Sequence, residues 1–244
     1  MKTYMLIFLA ATCIAGCSTQ DAPTGVSCQS IAVLVDFTDV RSLWFTPTPC
    51  LSLYNFTANP QSEGWFHLTE ISDKRINEDY TVHLPLAQIT ENGNDDEFPQ
   101  HRSYCILSFY ENVRRACTDM YTRFDTTQTK GHSEIFAAVC QELHWLLNKR
   151  SAAYLLVFSN LIEKNAIADA YKVGGASATE LIDRFEASNL LPRHLSGITV
   201  FFINAPLNRV EDGRYSVMLS VYRKLIEARG GRVIVQANNQ NYIQ

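Results

Sequence analysis

Four continuous apolar runs constrain the fold more than any other feature of this sequence. They are rich in β-branched and aromatic residues and cover residues 30–36, 152–158, 197–204 and 232–236. Each run has the length of a strand, and a strand that is apolar on both sides must be covered on both faces. The runs therefore predict the central strands of a mostly parallel sheet.

Amphipathic segments lie between these runs, with apolar residues at helical spacing along residues 133–148, 177–189 and 215–229. The last segment stops at Gly230 and Gly231, a typical helix end. Residues 104–124 also favour a helix, although residues 103–110 are ambiguous. Apolar strands that alternate with amphipathic helices predict right-handed βαβ crossovers. We expect an α/β fold with a doubly wound, mostly parallel sheet and helices on both faces, in a three-layer sandwich.

Two shorter segments differ from the apolar runs because apolar and polar residues alternate along them. Residues 65–71 and 80–84 show this pattern, which predicts a hairpin and one antiparallel edge strand. Residues 88–102 are polar and acidic and predict a mobile surface loop. With 46% hydrophobic residues and a net charge of −4, the chain suits one globular domain, here residues 30–244. It has no overall basic excess that would favour nucleic acid or an anionic membrane surface as the main partner.

The amino terminus carries one lysine, an apolar stretch over residues 4–14, and then Ile14-Ala15-Gly16-Cys17. This segment resembles the signal of bacterial lipoproteins, in which small residues precede a lipidated cysteine. The resemblance implies a signal peptide over residues 1–16, lipidation of Cys17 and a tether over residues 17–29. It further implies an exported protein anchored in the cell envelope, and Ser18 after the cysteine favours the outer membrane.

Removal of Cys13 and lipidation of Cys17 would leave five cysteines in the folded part of the chain. They are Cys28, Cys50, Cys105, Cys117 and Cys140. None of them forms a Cys-x-x-Cys pair, so zinc and thioredoxin-type sites are disfavoured. Because five is an odd number, we expect at least one thiol to stay unpaired. Cys140 lies on an apolar helical stripe and is expected in the core.

Polar residues follow three of the predicted parallel strands. Asp36, Thr38 and Asp39 follow the first run, Ser159 and Asn160 the second, and Asn204 ends the third. The carboxyl ends of parallel strands share one edge of the sheet, and open α/β sheets bind their ligands there. We therefore expect these side chains to meet.

The segments "VLVDFTD", "YLLVFSN" and "GITVFFINAP" occur in the order of the strands of a von Willebrand factor A domain, which this chain resembles over about residues 30–84 and 129–238. The resemblance implies binding of a protein partner through Mg²⁺ held at that edge. Carried over, the ligands would be Asp36, Thr38, Asn160 and either Thr129 or Ser133. Val40 stands where the family has a third loop ligand, and Asn160 stands where it has an aspartate. The sequence thus predicts a degenerate magnesium site.

A partner would dock on the same edge, against Asp39, Arg41, Ser159 and Glu163. Two other interpretations stay open. Asp36 and Asn160 could serve only as helix caps or Asx-turns in a structural envelope component. Alternatively, Asp36 resembles the nucleophile of haloacid dehalogenase-type phosphatases, with Lys164 or Lys172 balancing phosphate charge. That family's acidic partner is replaced by Thr38, so we favour a binding module over an enzyme.

Overall fold

A six-stranded sheet organises the part of the chain that the computed structural model describes. This part comprises residues 28–38, 50–71, 79–87, 99–123, 133–149, 152–172, 178–204 and 208–237. The predicted signal peptide and the tether up to residue 27 lie outside these residues. None of the helices in the described ranges has the length and apolar character needed to cross a membrane.

The strands follow the predicted runs closely. They are β1 (Cys28–Asp36), β2 (Glu63–Ile71), β3 (Asp79–Leu84), β4 (Ala152–Phe158), β5 (Ile198–Asn204) and β6 (Arg232–Ala237). Their order across the sheet is β3-β2-β1-β4-β5-β6, and β3 alone pairs antiparallel. This confirms the predicted α/β fold with its antiparallel edge strand.

In the described ranges, four helices of 10 or more residues cover the two faces of the sheet, as predicted. They are α1 (Pro99–Arg123), α2 (Ile135–Leu147), α3 (Ala178–Ala187) and α4 (Arg209–Glu227), with a short 3₁₀ turn at Ala170–Lys172. Helices α2, α3 and α4 pack on one face, around Phe136, Phe185 and Tyr222. Helix α1 packs on the other face, around Phe66 and Phe109. Successive β1 side chains alternate between the two cores, which is why this strand is apolar throughout.

Helix α1 begins within the segment that we expected to be a mobile loop. Pro99 opens the helix and Arg102 lies in its first turns, so the loop prediction for residues 99–102 is wrong. The Arg102 guanidinium donates hydrogen bonds to the carbonyl oxygens of Pro60, Ser62 and Pro85, at 2.7, 2.6 and 2.8 Å respectively. These tertiary bonds fasten a polar helix start that has no apolar stripe. Residues 88–98 lie outside the described ranges.

Helix α4 is longer than its apolar periodicity predicts. It begins at Arg209 rather than Tyr215, because Asn208 caps it by accepting hydrogen bonds from the backbone amides of Val210 and Glu211, both at 3.0 Å. Its far end is as predicted: Gly230 follows the helix with a φ of +84°, in the left-handed region that glycine adopts without strain.

The strand order reverses between β1 and β4, since the chain moves outward in one direction from β1 to β3 and in the other from β4 to β6. Val35 is the register partner of Phe158, so Asp36 and Ser159, the next residue on each strand, emerge side by side. Open α/β sheets bind ligands at such a reversal, outside the carboxyl ends of the strands. The fold therefore directs attention to Asp36 and the loop after β4.

Candidate functional site at the β1–β4 edge

Asp36 ends β1 and is completely buried. Its Oδ1 accepts hydrogen bonds from the backbone amide of Thr38, at 3.0 Å, and from the Thr38 hydroxyl, at 2.5 Å. Its Oδ2 accepts a hydrogen bond from the Ser159 hydroxyl at 2.7 Å. Both carboxylate oxygens thus accept hydrogen bonds within the protein, and the bond from Ser159 joins the ends of β1 and β4.

The loop after β4 is held in a tight conformation by its own side chains. Ser159 Oγ accepts from the backbone amide of Leu161 at 3.0 Å, and Asn160 Oδ1 accepts from the amide of Ile162 at 2.8 Å. Leu161 has a φ of +56°, which is uncommon for a residue with a branched side chain, yet its side chain is fully buried. Burial of Leu161 and the two side-chain hydrogen bonds together hold this turn in place.

Glu163 lies at the end of this loop with its carboxyl group turned into the protein. Oε2 accepts from the backbone amide of Phe136 at 3.1 Å and from the Asn165 side chain at 2.6 Å, while Oε1 accepts from the Tyr222 hydroxyl at 2.9 Å. Complete burial raises the pKa of Glu163 to about 7, although these three hydrogen bonds act to lower it. Glu163 therefore connects the loop to the start of α2 and to α4.

The structure brings some of the predicted site residues together. Asp36, Thr38 and Ser159 form one hydrogen-bonded cluster, and half-buried Asn160 follows at the rim. Ser133 is buried beside the loop and forms an antiparallel backbone bridge with Lys164. Thr129, Asp39, Arg41 and Cys17 lie outside the described residues.

The side chains of Glu163 and Ser159 point inward, whereas we expected them to face a partner. Glu163 has no exposed surface and Ser159 is 3% exposed. The reason is that each satisfies a buried polar group: Ser159 bonds to Asp36, and Glu163 bonds to an amide in the first turn of α2. In this conformation the accessible part of residues 159–164 consists of Asn160 and Lys164.

The oxygen ligands that the described residues offer at this edge do not fit a tightly bound magnesium ion. Mg²⁺ requires about six oxygens in near-octahedral geometry, usually with carboxylates among them. Here Asp36 supplies one carboxylate, and both of its oxygens accept hydrogen bonds, one from the predicted ligand Thr38 and the other from Ser159. The Asn160 oxygen is bound to an amide. Across the described ranges, no cluster of three or more His, Cys, Asp or Glu side chains is arranged to hold a metal.

A buried ionic cluster away from this edge was not found from the sequence. His67 on β2 lies between two carboxylates, with Nδ1 2.7 Å from Glu142 on α2 and Nε2 3.0 Å from Asp79 on β3. Thr69 also donates to Glu142, at 2.9 Å, and the Trp145 ring stacks on His67. One feature of the sequence could have indicated this cluster: Glu142 is a charged residue on the apolar stripe of a helix.

The five cysteines of the described ranges form no disulfide bonds, so the expectation that at least one thiol stays outside a disulfide is confirmed there. Three of them are buried: Cys50, Cys117 and Cys140. Burial raises the pKa of Cys117 to about 12 and raises that of Cys140 still further, so both are protonated, inert core residues at neutral pH. The prediction of Cys140 in the core is confirmed.

Comparison with known proteins yields likenesses to solved structures but no family match. No protein-family model matches the chain, and no curated protein matches its sequence. A solved structure with a similar chain path is the human COPII-coat protein Sec24c, at 11% sequence identity and a TM-score of 0.34. The match covers 87% of this chain and 30% of Sec24c, so the chain spans less than a third of that protein.

Proposed function

We propose that this α/β domain is a protein-binding module whose partner docks on the carboxyl edge of the sheet, over the loop after β4. The observation that carries the proposal is the bond between Ser159 and Asp36 at the reversal of strand order. This bond gives the edge a fixed shape and keeps the buried Asp36 carboxylate turned inward, so the edge provides a rigid surface rather than a reacting group.

The surface offered to a partner is formed by the exposed and half-exposed residues of this loop. Asn160 is half-buried, and its NH₂ group donates no hydrogen bond to the described residues. This group is therefore suited to donate to a backbone carbonyl of a partner. Lys164 is exposed beside it and adds one positive charge. A rigid, pre-ordered loop loses little conformational entropy when a partner binds, which favours affinity.

The finer assignment, a von Willebrand factor A-like domain in a lipid-anchored envelope protein, is part of this proposal. It is supported by the order of the three strand segments in the sequence and by the Ile14-Ala15-Gly16-Cys17 box. Magnesium, which that resemblance implies, would have to displace the hydrogen bonds to Asp36. We therefore propose that docking here proceeds without tightly bound Mg²⁺, and that added Mg²⁺ changes partner affinity less than twofold.

The phosphotransfer interpretation has weaker support. A nucleophilic carboxylate must reach a phosphorus atom, but Asp36 is fully buried and both of its oxygens are engaged. The purely structural interpretation agrees with these bonds but assigns no role to the exposed loop. Turnover of a generic aryl phosphate in the presence of Mg²⁺ distinguishes the phosphotransfer interpretation from the structural one. The parent protein is compared with the Asp36→Asn variant. Activity that disappears in this variant would establish the enzyme.

Site-directed photocrosslinking tests the binding proposal. A photoreactive amino acid replaces Asn160 in the full chain, in the cells that produce it, and a matched variant carries it at Arg193 at the opposite end of the sheet. We expect one discrete adduct from position 160 that position 193 does not give. The purified partner should then lose at least tenfold in affinity for the double variant Asn160→Ala, Lys164→Glu. The same adduct from both positions, or unchanged affinity, would contradict the proposal.

A further inference from the structure

The edge of the sheet opposite Asp36 carries a cluster of cationic side chains. The parallel strands begin at this edge, and helices α2, α3 and α4 end there. Lys149 follows α2, Arg193 precedes β5, Arg229 follows α4, and Arg232 opens β6. We call this surface, defined by Lys149, Arg193, Arg229 and Arg232, the basic edge.

Around Arg193 and Arg229 the basic edge forms a connected surface. A cavity of about 610 Å³ lies within it, lined by Arg193, Arg229 and His144 among others. The backbone amide of Leu195 donates to the carbonyl oxygen of Arg229 at 2.8 Å, so the segment before β5 is fixed against the end of α4. Their two arginines are therefore held together on relatively rigid backbone.

Acidic groups offset only part of this charge. The described acids at this edge are Glu63, Glu186 and Glu227, and each lies against a basic group. Glu63 accepts from His83 at 2.8 Å, Glu186 lies 3.5 Å from Arg229, and Glu227 lies 3.9 Å from Arg223. Arg193 and Arg232 are both exposed, and no ion pair to either is recorded among the described residues. The edge thus keeps a positive excess.

Aromatic rings lie beside these cations. Lys149 Nζ is 3.6 Å from the Trp65 ring centre and 4.7 Å from that of Trp145, and both tryptophans are half-buried. Tryptophan and lysine side chains with one apolar and one polar end are favoured where a protein meets the headgroup layer of a membrane. The basic edge therefore has the chemistry of a surface that contacts phospholipid headgroups.

The opposite edge is mixed in charge, since the exposed cations Lys164 and Arg209 lie there together with acidic side chains. Its described acidic side chains include Glu134 at the start of α2, Asp169 in the loop after β4, and Glu211 and Asp212 in the first turn of α4. An anionic membrane would attract the basic edge more strongly than this mixed edge. The two edges together would orient the domain.

The chain itself enters at the basic edge. Cys28 is the first residue of β1, and 27 residues precede it. Eleven residues of a random coil, the separation of Cys17 and Cys28 in the sequence, would have a root-mean-square length of about 18 Å. A lipid at Cys17 would therefore hold the basic edge, rather than the Asp36 edge, next to the bilayer. This step rests on the proposed lipid anchor.

We propose that the basic edge rests on the anionic phospholipid headgroups of the membrane that anchors the chain. The Asp36 edge then points away from the bilayer, where a protein partner can reach Asn160 and Lys164. The surface adds electrostatic contact to a lipid anchor and gives the domain one preferred orientation.

Hydrogen exchange of the full-length protein on vesicles tests this inference. The protein is reconstituted in phosphatidylcholine alone or in equal parts phosphatidylcholine and phosphatidylglycerol. We expect hydrogen exchange across residues 190–197 and 228–232 to slow about tenfold, and only on the anionic vesicles. The reason is that each Lys or Arg near an anionic surface favours the membrane-bound orientation about fivefold. About 1 M salt should abolish the effect, because the screening length falls to about 3 Å.

Matched charge reversals complete the test. The double variant Arg193→Glu, Arg232→Glu should lose the slowed exchange, while Lys164→Glu, Arg209→Glu on the other edge should keep it. Unchanged exchange in β1 and β4 verifies folding of both variants. Equal protection on neutral vesicles, or protection centred on residues 159–164, would overturn the inference. The mass of the Cys17 peptide and the crosslink at position 160 report separately on the lipid anchor and on partner binding.

Discussion

The hydroxyl of Ser159 lies 2.7 Å from Oδ2 of Asp36, although the two residues are 123 positions apart in the sequence. This hydrogen bond joins the ends of β1 and β4 at the centre of the sheet. Because Asp36 is fully buried, its carboxylate depends on Ser159 and Thr38 for the hydrogen bonds that water would otherwise supply.

Removal of that hydroxyl should lower stability. We expect Ser159→Ala to reduce the free energy of unfolding by about 2 kcal/mol, the usual value for a hydrogen bond to a charged group. Urea denaturation followed by circular dichroism measures the change. Ser220→Ala is the matched control, since that exposed hydroxyl bonds only to the Val217 carbonyl of its own helix, and we expect it to change little. Equal effects of the two variants would contradict the role given to Ser159.

Glu163 should make stability depend on pH. Burial raises its pKa from 4.5 to about 7, so the folded protein binds more protons than the unfolded chain between these values. The stability that Glu163 contributes is therefore complete below about pH 4.5 and is lost as pH rises through about 7. The total is about 3 kcal/mol, and it should be absent in Glu163→Gln. Urea denaturation at several pH values tests this, with exposed Glu180→Gln as the control that keeps the slope.

His67 should bind its proton more tightly than an ordinary histidine. Burial alone would lower its pKa, but the hydrogen bonds and charges of Glu142 and then Asp79 outweigh burial and raise it. The stabilising charge of His67 is therefore present below pH 6.5 and is lost as pH rises through the raised pKa. NMR titration of the imidazole should show this pKa above 6.5, and Glu142→Gln should bring it down. A pKa below 6.5 in the parent protein would show that burial dominates.

Arg102 should be hard to replace because its planar guanidinium reaches three carbonyl oxygens at once. Lysine keeps the charge but cannot form that fork, so we expect Arg102→Lys to lower the free energy of unfolding by about 2 kcal/mol. Arg115→Lys, at an exposed position on the same helix, should change it by less than about 0.5 kcal/mol. Thermal unfolding compares the two, and a similar melting temperature for both would refute the role of the fork.

The strands and most helix positions followed from the sequence because their signals are local. A strand covered on both faces must be apolar at every position, and β1 and β4 both show this. Asp36 and Ser159 could be placed on one edge because parallel strands start and end together. The start of α1 could not be predicted, since residues 99–102 form no apolar stripe and Arg102 is held by carbonyls of distant segments.

The sequence by itself determined the α/β class, the antiparallel edge strand and the edge on which polar side chains collect, since all three depend on residue patterns within single segments. Tertiary structure alone decided that Glu163 turns inward, that Leu161 adopts a left-handed turn, and that His67 lies between Glu142 and Asp79. Each depends on groups brought together from separate elements, where burial and hydrogen bonding outweigh the preference of a polar side chain for water.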